Sequence, residues 1–286
     1  MQQRQVVVTG GAGFIGSHLC EALHASGRYA VTSLDNYFTG SRENHVDGVT
    51  YVEGHTKDIA SLLPDAPDLV FHLGEYSRVE QSFHDTALVW DLNVHGSAAV
   101  IEYCRAHEAK LVYAGSSTKF ADGGSGRHQS PYAWSKAINS ELVVNYGRWF
   151  GLEYAITYFY NVYGPREITA GSYATVLGVF RRQREAGEPL TVVAPGTQRR
   201  NFTHVDDIVR GLVLIGEQGQ GDEFGLGAEE SYSVLEIAQM FGGDITMLPE
   251  REGNRMDAPL ETGNAGALGW RAEKRVEDYV RDCVQS

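Results

Sequence analysis

Residues 6–16 read Val6-Val7-Val8-Thr9-Gly10-Gly11-Ala12-Gly13-Phe14-Ile15-Gly16. A β-branched run ends in glycines spaced by threes, and a helical pattern starts at Phe14 and Ile15. Such a run suits a parallel strand buried on both faces. Gly10 permits the tight turn, Gly13 lets backbone approach a pyrophosphate, and Gly16 lets the helix pack on the strand. The new helix offers free N–H groups and the positive end of its dipole to phosphates. Val31-Thr32-Ser33-Leu34-Asp35 then reads as a second strand ending in an acid about 20 residues on, the spacing of a dinucleotide site. A carboxylate at Asp35 accepts hydrogen bonds from the adenosine ribose and repels a 2′-phosphate, which favours NAD over NADP.

Working outward, the loop after Asp35 brings Asn36, Thr39 and Gly40 to the adenosine side. Residues 49–53 alternate like a strand, and Asp58-Ile59 after them is positioned to meet the adenine. Residues 69–73 form another buried strand, closed by Leu73-Gly74, where a glycine permits close backbone approach to the cofactor. Residues 87–106 carry helical periodicity with Asn93 inside, and 111–115 are the next strand. Pro131 suits the first turn of a helix running to about residue 149, and 153–160 is a strand. This alternation predicts an α/β, Rossmann-type doubly wound parallel sheet. After Gly164-Pro165 the pattern loosens. Helices are expected over 175–186, 206–216, 234–241 and 274–284, with short strands between them. The expected organisation is a dinucleotide-binding domain over 1–165 and a smaller mixed α/β substrate lobe over 166–286, some of whose segments return to the sheet.

The chain has 286 residues, 42% of them hydrophobic, ample for a core, and a net charge of −13. That balance argues against nucleic acid or an anionic membrane as partner. Cys20, Cys104 and Cys283 are far apart and form no CxxC pair, so a reducing cytosol and no structural zinc are expected. No His, Cys and carboxylate set has metal-site spacing. No apolar run approaches membrane-spanning length, and the few residues before the first strand leave no room for a signal peptide. A cytoplasmic protein is the expectation.

The informative constellation is Ser117, Tyr132 and Lys136. Tyr132 and Lys136 are four apart and share a helix face. A free phenol titrates at about 10 and is a poor base at neutral pH; a neighbouring ammonium and a positive nicotinamide ring both favour phenolate. Tyr132 is then equipped to take a proton from a sugar hydroxyl while a cofactor carries the hydride step. Lys136 would also hold the nicotinamide ribose, and Ser117, at a strand end, reaches the same hydroxyl.

Here the chain resembles, over essentially its whole length, the extended short-chain dehydrogenase/reductase family of nucleotide-sugar epimerases and dehydratases. The resemblance rests on Gly10 to Gly16, Asp35, Asp58-Ile59, His72-Leu73, Asn93, Ser116-Ser117, Tyr132 with Lys136, and Asn161-Val162-Tyr163-Gly164-Pro165. Further on it rests on Gln198 to Phe202, His204 to Asp207, and Arg251-Glu252-Gly253-Asn254-Arg255. It implies tightly held NAD, transient oxidation of a UDP- or GDP-linked sugar at C4, and a homodimer built on a four-helix contact. It also implies that Asn161 contacts the sugar or diphosphate and that Arg200 and Arg255 clamp the diphosphate, although Arg199 beside Arg200 leaves that assignment open by one position.

A 4-epimerase needs little beyond Tyr132 and NAD. A 4,6-dehydratase must also remove the C5 proton and protonate the departing C6 hydroxyl. Relatives that dehydrate place ionisable residues after the paired serines, where this chain has Thr118 and Lys119. A second ionisable residue, Glu75, stands where most relatives carry alanine. The stretch His72 to Ser82, with Ser117-Thr118-Lys119-Phe120, resembles a bacterial branch that makes 4-keto-6-deoxy-N-acetylhexosamines; that resemblance implies 4,6-dehydration of a nucleotide-linked N-acetylhexosamine, with Lys119 and Glu75 as the added acid–base pair and Thr118 beside the sugar. The alternative is a 4-epimerase, with Glu75 and Lys119 merely salt-bridged at the pocket rim. A 4-keto reductase and a non-catalytic dinucleotide-binding protein are the further classes.

Overall fold

A computed structural model describes residues 3–250 and 259–285. Val6, Val7 and Val8 lie in the first strand, β1 (Arg4–Thr9), almost fully buried. Next come α1 (Phe14–Ala25), β2 (Tyr29–Asp35), β3 (Thr50–Glu53), α2 (Ile59–Leu62) and β4 (Leu69–His72). A long helical stretch follows as α3 (Thr86–Val89), a wide π turn (Trp90–His95) and α4 (Gly96–Ala106). Then come β5 (Lys110–Ser116), 3-10 turns over Ser117–His128, α5 (Pro131–Phe150) and β6 (Tyr154–Phe159). The remainder comprises β7 (Val162–Tyr163), α6 (Val176–Glu185), β8 (Leu190–Val193), β9 (Arg199–Asn201), β10 (Thr203–His204) and α7 (Val205–Gln218), then β11 (Gly221–Leu226), β12 (Ser231–Ser233), α8 (Val234–Phe241), β13 (Ile245–Leu248), α9 (Gly263–Ala267) and α10 (Val276–Gln285).

The main sheet has seven strands in the order β11-β6-β5-β4-β1-β2-β3, all parallel. Both faces are covered, which is why its central strands read as unbroken apolar runs. On one face Leu19 and Leu23 of α1 and Ile208, Leu212 and Ile215 of α7 pack over Val6, Val8 and Phe71. On the other, Val100 and Ile101 of α4 and Val143 of α5 pack over Val7, Val70 and Leu111. The strand 221–226, from the expected substrate lobe, is the outermost strand of this sheet, and α7 roofs it. A smaller core around Phe180, Val192, Ile237 and Phe241 joins α6, β8, α8 and α10. Among the described residues, no helix is long and apolar enough to cross a membrane.

The strand order reverses direction between β1 and β4. In open α/β sheets, the crevice at the carboxyl ends of the strands around such a switch point is where ligands bind. Register then sets neighbours side by side: Thr9 lies opposite His72 across β1–β4, and His72 opposite Tyr113 across β4–β5.

Candidate active site

A cleft of about 1030 Å³ opens at this switch point. That is the upper end of the roughly 300–1,000 Å³ of small-molecule sites, room for two ligands end to end. Its floor begins at Gly10, whose φ of +74° a side chain would strain. A Cβ on Gly16 would stand 2.0 Å from the Gly10 carbonyl oxygen, so helix and turn are packed backbone to backbone. The α1 N-cap, Gly13, makes no side-chain cap, and the first turn carries no acid. The leading N–H groups are thus left for an anion. At the end of β2, Asp35 Oδ2 accepts from the Ala12 N–H at 2.9 Å and Oδ1 from the Tyr37 N–H at 2.8 Å. Burial pushes its carboxyl up, against the pull of those two donors. Phe14, Ile15, Asn36, Thr39, Leu73 and Gly74 continue the wall. The cradle fits a dinucleotide.

Other residues expected at the cofactor lie elsewhere. Asp58 is exposed and Ile59 fully buried, and neither lines the cleft. Gly40 stands behind Asp35, where a Cβ would come 2.9 Å from Oδ1. Asn93 is 0% exposed. Its Oδ1 accepts from the Tyr76 N–H at 2.6 Å, and its Nδ2 donates to the Tyr76 carbonyl at 3.1 Å. Asn93, held in the wide π turn, therefore fixes the segment after β4 from behind.

Helix α5 carries Tyr132 and Lys136. Ser130 caps it through an Ala133 N–H at 3.0 Å, and Pro131 occupies the first turn, an arrangement that starts the helix at a defined residue. Tyr132 and Lys136 consequently face the same cleft as Ser117 and Thr118. Thr118 donates to Ser116 Oγ at 2.9 Å.

Lys119 turns away. Its ammonium pairs with Asp222 Oδ2 at 2.7 Å and donates to the Tyr158 hydroxyl at 3.1 Å, beside β11 and outside the cleft lining. Burial and Asp222 push the Tyr158 phenol far up, so it stays protonated. Glu75 and Lys119 do not meet. Glu75 instead pairs with Lys136, their side chains 3% and 6% exposed. Glu75 Oε1 also accepts from Ser97 Oγ at 2.7 Å, the Tyr113 hydroxyl at 3.0 Å and Asn139 Nδ2 at 3.1 Å. Burial alone would raise this carboxyl; the Lys136 charge, then His72 and the hydrogen bonds, outweigh it and hold it below the usual range.

At the far end, Asn161 and Arg200 line the cleft. Alternation along β9 separates the two arginines: Arg199 donates to Ser231 Oγ at 3.0 Å and pairs with Glu236 at 3.2 Å on the outside, and Arg200 faces in. Arg255 lies outside the described residues. Sequence reasoning passed over Arg78, a cleft residue whose Nε donates to the Tyr173 carbonyl at 2.9 Å; its spacing carries no signal. It also passed over Ser97, Tyr113 and Asn139. Of these, Asn139 had a readable clue, lying three residues after Lys136 on the same helix face.

Residues 6–227 match the family model described as NAD dependent epimerase/dehydratase family. A putative UDP-glucose 4-epimerase from Methanocaldococcus jannaschii is 28% identical, over 98% of this chain and 97% of its own length. A UDP-N-acetyl-alpha-D-glucosaminuronate decarboxylase from Bacillus cytotoxicus is 28% identical, over 91% of this chain and 84% of its own. Among solved structures, the Thermus thermophilus UDP-glucose 4-epimerase in complex with NAD superposes with a TM-score of 0.88 at 28% identity, covering 98% of both chains.

Proposed function

The chain belongs to the NAD dependent epimerase/dehydratase family, and from that premise we propose that it is a nucleotide-sugar 4-epimerase using NAD. The observation that carries this reading is the commitment of Lys119 to Asp222 and of Glu75 to Lys136. Water loss across C5 and C6 needs extra acid–base groups at the sugar, and the two residues expected to supply them are spent elsewhere. The 4,6-dehydration read from the sequence thus loses its carriers, whereas epimerisation needs no proton-transfer group beyond Tyr132. Similarity to UDP-glucose 4-epimerases supports the same choice.

In this reading NAD, when bound along Gly10 to Gly16 and Asp35, supplies the two-electron sink that accepts and returns hydrogen at sugar C4. Tyr132 takes the C4 hydroxyl proton as that hydrogen leaves, and restores it to the oxygen after the keto sugar has turned. Ser117 would hydrogen-bond the same oxygen, and Lys136, held by Glu75 and the Ala114 carbonyl, would offer its remaining N–H to the nicotinamide ribose. Asn161 and Arg200, joined by Arg255, hold the diphosphate, a task suited to guanidinium forks. Trp149 and Phe150, 61% and 56% exposed at the end of α5, support pairing of two copies through that helix.

The test is incubation of purified protein with UDP-glucose, UDP-N-acetylglucosamine and GDP-N-acetylglucosamine. A product of unchanged mass with inverted C4 by NMR is expected. Loss of one water would sink the epimerase reading and return Glu75 and Lys119 to the chemistry.

A further inference from the structure

We propose that Glu75 is a positioning residue, a built-in counter-ion that holds the Lys136 ammonium and sets the pH range in which Tyr132 works. The inference rests on the assignment of Tyr132 and Lys136 as the reactive pair.

The hydrogen bonds around Glu75 run in one direction. Thr9 Oγ1 accepts from the Leu73 and Gly74 N–H groups at 3.1 and 3.0 Å, so its own proton goes to His72 Nδ1 at 2.7 Å. Burial pushes His72 down to about 4, so the ring is neutral at pH 7 and its one proton sits on Nε2. Nε2 then donates to Ser97 Oγ at 2.9 Å, and Ser97 donates to Glu75 at 2.7 Å. The Tyr113 hydroxyl and Asn139 amide donate to the same oxygen, and Lys136 donates to the other. Every group facing this carboxylate is a donor. The Lys136 ammonium and the Asn139 amide nitrogen can only donate, and with the two hydroxyls turned the same way they hold Glu75 charged and not poised to pass a proton to a sugar.

The partners of Glu75 come from three elements, Tyr113 from β5, Ser97 from α4, and Asn139 and Lys136 from α5, with His72 at the end of β4 reaching it through Ser97. Burial first, then Glu75, pushes the Tyr113 phenol far up, so it too stays a donor. The charges left beside Glu75 are one carboxylate and one ammonium, and the Arg78 guanidinium, from the segment after β4, is a second cation acting on Tyr132. Lys136 also donates to the Ala114 carbonyl, which fixes its ammonium at the cleft floor. With Glu75 present, the field that Lys136 exerts on Tyr132 is largely cancelled. A chain with a neutral residue here would leave it uncancelled, and phenolate would form at lower pH.

The experiment compares Glu75→Gln with wild type in pH profiles of turnover. The acid limb is expected to move down by about one pH unit, with the product unchanged and NAD still bound. Glu75→Asp, which keeps the charge, restores the wild-type profile. Superimposable Glu75→Gln and wild-type profiles overturn the proposal, as does loss of all turnover at every pH in a folded, NAD-holding Glu75→Gln protein, since Glu75 would then be moving protons itself. If wild type turns over no nucleotide sugar, the epimerase reading falls separately, and melting judges the pair. Lys136→Met alone strands a buried carboxylate and should melt below Lys136→Met with Glu75→Gln; equal melting temperatures overturn the pairing.

Discussion

Acidification from about pH 7 to about pH 5 should weaken the fold through His72, and the size follows from its burial. The ring is 0% exposed, held between Thr9 and Ser97, and titrates at about 4 against 6.5 for a free imidazole. In that interval the unfolded chain binds a proton that the folded chain refuses. Stability is therefore intact above the free value and is lost as pH falls from 6.5 toward 4. At about 1.4 kcal/mol per unit, the descent to about pH 5 removes about 2 kcal/mol, a large share of a margin of roughly 5–15 kcal/mol. The assay is urea unfolding of wild type and His72→Gln at both pH values. His72→Gln is less stable at neutral pH because it disturbs the bond chain, but it has no ring to titrate. The gap between the proteins should narrow by about 2 kcal/mol on acidification, all other groups cancelling in the comparison. A gap that stays constant refutes the neutral, donor-to-Ser97 ring and the directional chain built on it.

Tyr132→Phe should lose roughly 10²–10⁴-fold in kcat while retaining NAD, read by steady-state kinetics beside the absorbance of bound cofactor. Gly16→Ala drives a Cβ against the Gly10 carbonyl; about 1–3 kcal/mol of stability and most NAD affinity should go, seen by melting and calorimetric titration. Asp35→Ala should relax discrimination against NADP, measured as the ratio of the two dissociation constants; an unchanged ratio moves that role elsewhere. Lys119→Met should keep the product identity and cost about 1 kcal/mol or less, since its partner pair is part-exposed at 31% and 25%; a changed product would reopen its catalytic role.

The parts of the site that were legible in the sequence are those fixed by local chemistry. The valine run, the glycines after it and Asp35 specify strand, turn and strand end within one βαβ unit. Ser130 and Pro131 start α5 at a defined residue, so four-residue spacing brings Tyr132 and Lys136 onto one face. What was not legible depends on which distant group a charge meets. Lys119 finds Asp222, and Glu75 finds Lys136, across sheet contacts that no spacing encodes. Read as motif positions, Glu75 and Lys119 looked like free acid–base groups; read with their partners, they are held charges. Asn93 and Asp58-Ile59 carry the motif yet sit behind or beyond the cleft wall, because a motif records residue identity and not which side of the backbone faces the ligand. Alternation along β9 settled the inward arginine only once the strand and its β12 partner were known.

The outer strand β11 gives the chain a particular history during synthesis. Until residue 226 leaves the ribosome, β6 has no partner on its outer side. A nascent chain that has made every glycine of the cofactor turn, and both Tyr132 and Lys136, still presents an open, apolar strand edge of the kind that recruits other chains. The helix that roofs this face, α7, arrives in the same late stretch. The cell therefore has to shield a growing chain while residues 160–226 are made, and a gene split after the sixth strand would yield an aggregating half and not a working cofactor module.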